Sequence, residues 1–124
     1  MNSNNGEQES LVFFVTDPEE KTRQIEENLI LQVETFFRHL NSGEITVQEL
    51  AWVAPLLDAE ELYRGAVLLE KYTDTRPHFV QYYFAKLIYV NAHDRHLSSN
   101  CKETIKQICL SYCPSLLEEL CVEQ

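Results

Sequence analysis

Apart from Met1, residues 1–10 are polar, with one glycine, two glutamates and no apolar period, and they read as a disordered leader. Leu11-Val12-Phe13-Phe14-Val15 follows, apolar at every position and rich in β-branched and aromatic side chains, which predicts a short extended arm. No second strand-like run is present to satisfy its backbone groups. The arm is therefore expected to lie across the rest of the fold or, through Val12, Phe13 and Phe14, to pair with another chain.

From there the period is helical. Thr16 with Glu19 has the form of a capping box, and Pro18 sits in a first turn where its missing N–H does no harm. Ile25, Leu29, Val33, Phe36 and Leu40 form one stripe, broadened by Leu31 and Phe37, and Asn41-Ser42-Gly43 supplies the stop. Thr46 with Glu49 opens a short helix carrying Val47, Leu50, Val53 and Leu57, which Pro55 must kink or end. Asp58 with Glu61 opens the next, with Leu62, Ala66 and Leu69 on one face and an exposed Glu60–Arg64 pair.

Pro77 suits the first turn of a further helix, and from Phe79 to Ala92 the chain is apolar almost all round. A helix without a wide polar face is expected at the centre of a bundle, wrapped by its neighbours. After Ser98-Ser99-Asn100, Asn100 with Glu103 repeats the capping pattern, and Ile105, Ile108 and Leu110 run to about Tyr112. Pro114 ends that helix and starts a last turn or two through Leu116, Leu117 and Leu120. These elements predict an all-α fold, a compact bundle of five to six helices with a short extended N-terminal arm, residues 11–124 forming one domain. The caps are unevenly spaced, which argues against a solenoid.

Composition narrows the function classes. Ten Lys+Arg against twenty Asp+Glu give a formal charge of −10, the wrong balance for gripping a nucleic-acid backbone. No apolar run approaches the ~20 residues of a membrane span, and no basic-then-apolar leader is visible, so a cytoplasmic, reducing setting is expected. The charge is uneven: residues 1–76 carry −9, residues 77–113 carry +2 and the last eleven carry −3. Within the basic segment Tyr82, Lys86, Tyr89 and His93 fall at i, i+4, i+7 and i+11 and share a helix face. Aromatic and cationic groups together are the composition of a protein-contact surface, although the rim of a buried helix shares it.

Chemistry is harder to find. His93 and His96 lie near Cys101, but without CxxC or HExxH spacing no metal is expected. Cys101, Cys109, Cys113 and Cys121 are palindromically spaced about a bend near Pro114. A helical hairpin there would bring Cys101 toward Cys121 and Cys109 toward Cys113, although buried free thiols are the simpler expectation in a reducing compartment. Adjacent carboxylate pairs such as Glu19/Glu20 and Glu60/Glu61 point about 100° apart on a helix, as solvated faces do. Neither a nucleophile elbow nor a phosphate-cradling glycine loop is present.

The sequence therefore points to a non-enzymatic adaptor or regulator without cofactors, acting through contacts with another protein of basic surface, as a monomer or a homodimer joined by the arm or by the 79–92 helix. Two other functions fit the composition. One is an acidic inhibitor that mimics nucleic acid through Glu19, Glu20, Glu26, Glu27 and Glu34. The other is a thiol- or metal-responsive switch built on the four cysteines.

Overall fold

A computed structural model describes residues 17–72 and 77–118, and the chain in it is an all-α compact bundle. The leader, the arm with Val12, Phe13 and Phe14, and Cys121 lie outside the described residues. The helices are α1 (Pro18–Ser42), α2 (Ala59–Glu70), α3 (Pro77–Asp94) and α4 (Ser99–Tyr112), with two short 3₁₀ helices, Val47–Trp52 and Ala54–Leu56, between α1 and α2. None of the described helices is long and apolar enough to cross a membrane.

The stop and start signals work through local hydrogen bonds. Asp17, one residue after the expected Thr16, caps α1: its carboxylate accepts from the Glu19 N–H, with Pro18 as the first helical residue. Gly43 ends α1 at φ +79°, a left-handed conformation that side chains rarely adopt, and Gly43 and Glu44 donate N–H groups to the last turn. The Asp58–Glu61 box is complete: Asp58 Oδ1 accepts from Glu61 N–H at 2.8 Å, and Glu61 Oε1 accepts from Asp58 N–H at 3.0 Å. Thr46 and Glu49 also pair, but the helix they open is 3₁₀ and stops at Trp52, and Pro55 is the second residue of the next short piece, which begins at Ala54.

The cap of α4 corrects the sequence reading. Ser98, not Asn100, is the capping residue, its Oγ accepting from Cys101 N–H at 3.1 Å. What fixes it is tertiary: Glu26 on α1 accepts from both Ser98 N–H at 2.8 Å and Ser98 Oγ at 2.7 Å. A carboxylate 72 residues away thus sets the start of the helix, which local pattern cannot reveal.

The core joins Leu29, Val33, Phe36, Phe37 and Leu40 of α1 to Val80, Phe84, Ala85, Ile88 and Ala92 of α3 and to Cys101, Ile105 and Cys109 of α4. Leu50, Val53, Leu56 and Leu57 close one side and Leu116 one end. Two members of the expected α1 stripe are corrected: Ile25 and Leu31 are 58% and 59% exposed. Leu31 faces away from the core, and Ile25 lies on the core stripe a turn before Leu29, the first residue of α1 buried in the core.

Long-range contacts orient the helices. Asn41 near the end of α1 accepts from Gln81 near the start of α3 at 2.7 Å, so these two are antiparallel. Glu26 meets Ser98 at one end and Phe37 stacks on Tyr112 at 5.4 Å at the other, so α1 and α4 run together. Asn91 donates to Glu61 at 3.1 Å, while Gly65 faces Phe84, making α2 antiparallel to α3. The helix α3 therefore has α2 on one flank, α4 on the other and α1 behind.

Candidate functional site

The uniform apolarity of α3 has an outcome different from the expected burial. Its inner side, Val80, Phe84, Ala85, Ile88 and Ala92, is buried. On the opposite side Phe79, Tyr82, Tyr83, Lys86, Leu87 and Val90 recur at helical spacing and line a shallow depression of about 430 Å³ with no other element among the described residues. Phe79 is 59% and Val90 40% exposed, although both are apolar. A scattered exposed leucine is ordinary; here Phe79 and Val90 are exposed at the two ends of a row about 17 Å long in which Tyr82, Tyr83, Lys86 and Leu87 are half-buried.

The flanks of the stripe are each of mixed sign but differ in net charge: Asp58, Glu60, Glu61 and Arg64 sum to −2 on the α2 side, and Lys102, Glu103 and Lys106 sum to +1 on the α4 side. On the α2 side stand Asp58, Glu60 and Glu61, with Arg64 donating to Glu60. Burial pushes the Tyr83 hydroxyl above its usual range; Arg64 opposes the shift, and Glu61, Asp58 and Glu60 add to it. On the α4 side a second depression, about 340 Å³, is lined by Tyr89, His93, Ser99, Lys102, Glu103 and Lys106. Glu103 there accepts from Gln107 at 2.7 Å.

The sequence-predicted surface residues divide between these two depressions. Tyr82 and Lys86 belong to the apolar stripe, and Tyr89 and His93 turn toward α4. Phe79 and Val90 were missed as surface residues because they were expected to be buried, and Tyr83 and Leu87 beside them are half-buried. Lys102 and Lys106 were missed because nothing in their own segment places them beside Tyr89.

The cysteines run along one buried face of α4 and its cap. Cys101, Cys109 and Cys113 are free and buried, and the bend falls after Cys113, so Cys109 and Cys113 are one helical turn apart rather than across a hairpin. A thiol in the first turn of a helix ordinarily gains acidity. At Cys101 burial and the nearby Glu26 carboxylate do the reverse, raising it to about 11. Burial, with Cys113 adjacent, raises Cys109 to about 12.

Three of the five glutamates of α1 have internal partners. Glu20 and Glu27 both accept from Arg23, and Glu26 is spent on Ser98. Glu19 and Glu34 are exposed. No group of His, Cys, Asp and Glu able to hold a metal occurs among the described residues. No protein-family model, curated protein or solved structure matches the chain.

Proposed function

We propose that this is a small acidic adaptor or regulatory protein, non-enzymatic, whose contact with other protein chains is made through the outer face of α3. The observation that carries the reading is the stripe from Phe79 to Val90, left open on a helix whose other side is the centre of the core. Covering such a surface removes apolar area from water at about 25 cal/mol per Å², and the aromatic side chains give it the composition of interface hot spots. The formal charge of −10 raises the encounter rate with basic partners, and the buried thiols suit a reducing compartment such as the cytoplasm.

The test compares proteins retained by the tagged wild-type chain with those retained by Phe79→Ser and Val90→Ser, in cells that make it. Both positions are too exposed for the substitutions to unfold the bundle, which thermal melting verifies. The reading expects a bound protein on the wild type that both variants lose. Retention of the same proteins by all three chains would overturn it.

A further inference from the structure

We infer that the occupant of the α3 face is a second copy of this chain, joined in parallel about a two-fold axis that runs along α3. The inference rests on the contact-surface reading above and adds the identity and orientation of the partner.

The argument is one of symmetry and charge. Two copies can lay α3 against α3 in two ways. If the helices are antiparallel, the two-fold lies across them and each flank meets its own copy: the α4 flank, net +1 from Lys102, Lys106 and Glu103, faces its like, and the α2 flank, net −2 from Asp58, Glu60, Glu61 and Arg64, faces its like. If they are parallel, the two-fold lies along them and each flank meets the opposite one, with positions along the axis preserved. The charges on the two flanks sit at the same height. Glu61 is hydrogen-bonded to Asn91, and Lys102 and Lys106 line a depression with Tyr89 and His93. Parallel pairing therefore brings Lys102 and Lys106 of each copy over Asp58 and Glu60 of the other, twice.

The stripe itself tolerates this arrangement. Phe79, Tyr83 and Val90 each come beside their own copy, an apolar and aromatic seam. Lys86 also lies near its own copy, and a cation in such a seam sets the pairing at a cost in strength, as a polar residue does in a coiled coil. The dimer is accordingly expected to be reversible, dissociating in the micromolar range. Pairing also hides the basic flank of α4 and leaves the acidic remainder outward, the surface a basic third protein would meet.

Sedimentation velocity on the full chain under reducing conditions, across micromolar concentrations, supplies the first readout: a monomer–dimer equilibrium is expected. Lys102→Glu/Lys106→Glu and, separately, Glu60→Lys are each expected to weaken self-association at least tenfold with unchanged circular dichroism. The second readout is orientation. Val90→Cys under mild oxidation is expected to cross-link to itself, whereas antiparallel pairing would cross-link Val90→Cys only when mixed with Phe79→Cys, and that result would overturn the inference. So would a dimer indifferent to the charge reversals. A monomer at every concentration, with a different protein held by the wild type and lost by Phe79→Ser, would overturn the second-copy assignment while leaving the contact surface standing.

Discussion

Replacing Gly65 by alanine tests the packing that sets the distance between α2 and α3. A Cβ at Gly65 would stand 2.9 Å from Phe84 Cζ and 3.0 Å from Cε1, with Leu50 Cδ2 at 3.6 Å. Ordinary contact starts at about 3.4 Å, so the ring or the helix must give about half an ångström. Phe84 has little room to do so: it is fully buried, edge-on to Phe36 at 5.0 Å and to Tyr83 at 5.2 Å. Alanine gains about 1 kcal/mol over glycine in a helix interior, whereas overpacking a core costs about 1–3 kcal/mol. The expected net change is a loss of about 1 kcal/mol, or roughly 4 °C in Tm for a domain of this size. Urea denaturation followed by circular dichroism and Trp52 fluorescence measures it. In a Phe84→Leu background the same substitution should become stabilising, a coupling of at least ~1 kcal/mol. A Gly65→Ala protein more stable than wild type by the full helix-propensity gain would refute the close approach of α2 to Phe84.

The remaining predictions concern polar groups and thiols. Burial alone would raise the Glu49 carboxyl, but hydrogen bonds from Thr46 N–H, His39 and Thr46 Oγ1 hold it below its usual range. Its contribution is therefore full above the unfolded value of ~4.3 and lost as pH falls through the lower folded value. Glu49→Gln should cost about 1 kcal/mol at pH 7, with the difference from wild type shrinking below about pH 4; an unchanged difference at acid pH would contradict the pairing. Glu26→Ala removes the acceptor of Ser98 N–H and Oγ and should cost about 1 kcal/mol, read as faster hydrogen exchange in the first turn of α4. With Cys101 and Cys109 at about 11 and 12, peptide-resolved alkylation at pH 7.5 should run on the order of 100-fold slower in native than in denatured protein. Fast native labelling of Cys101 would restore the case for a thiol switch.

Helix number, order and most boundaries were legible because their signals are local. The box at Asp58–Glu61 and the left-handed glycine at 43 act on neighbouring backbone groups, so sequence pattern suffices to find them. The start of α4 was misplaced at Asn100 because Glu26, on another helix, chooses Ser98. The exposure of Ile25 and Leu31 is likewise tertiary. Apolar periodicity names the residues that prefer burial, but the neighbouring elements decide how much of a helix they cover.

The same reason hid the candidate surface. An apolar circumference on residues 79–92 was read as a fully wrapped helix, yet α1, α2 and α4 cover only the back and flanks of α3. Three neighbours placed behind and beside α3 leave its remaining side uncovered, whatever residues that side carries. Tyr82, Lys86, Tyr89 and His93 were read as one face, whereas Tyr82 and Lys86 line one depression and Tyr89 and His93 another, and the apolar row is centred nearer Phe79, Lys86 and Val90. Its charged borders come from α2 and α4, whose placement the pattern on residues 77–94 does not encode.

The central claim is that the outer face of α3 is where this protein meets other protein chains. Its most direct test places a photo-cross-linking side chain at Phe79 or Val90, with Leu31 on α1 as a control of similar exposure, and irradiates the cells that make the protein. The account predicts a discrete covalent protein adduct from both α3 positions and none from Leu31. No adduct from α3, with a discrete one from Leu31, would contradict it.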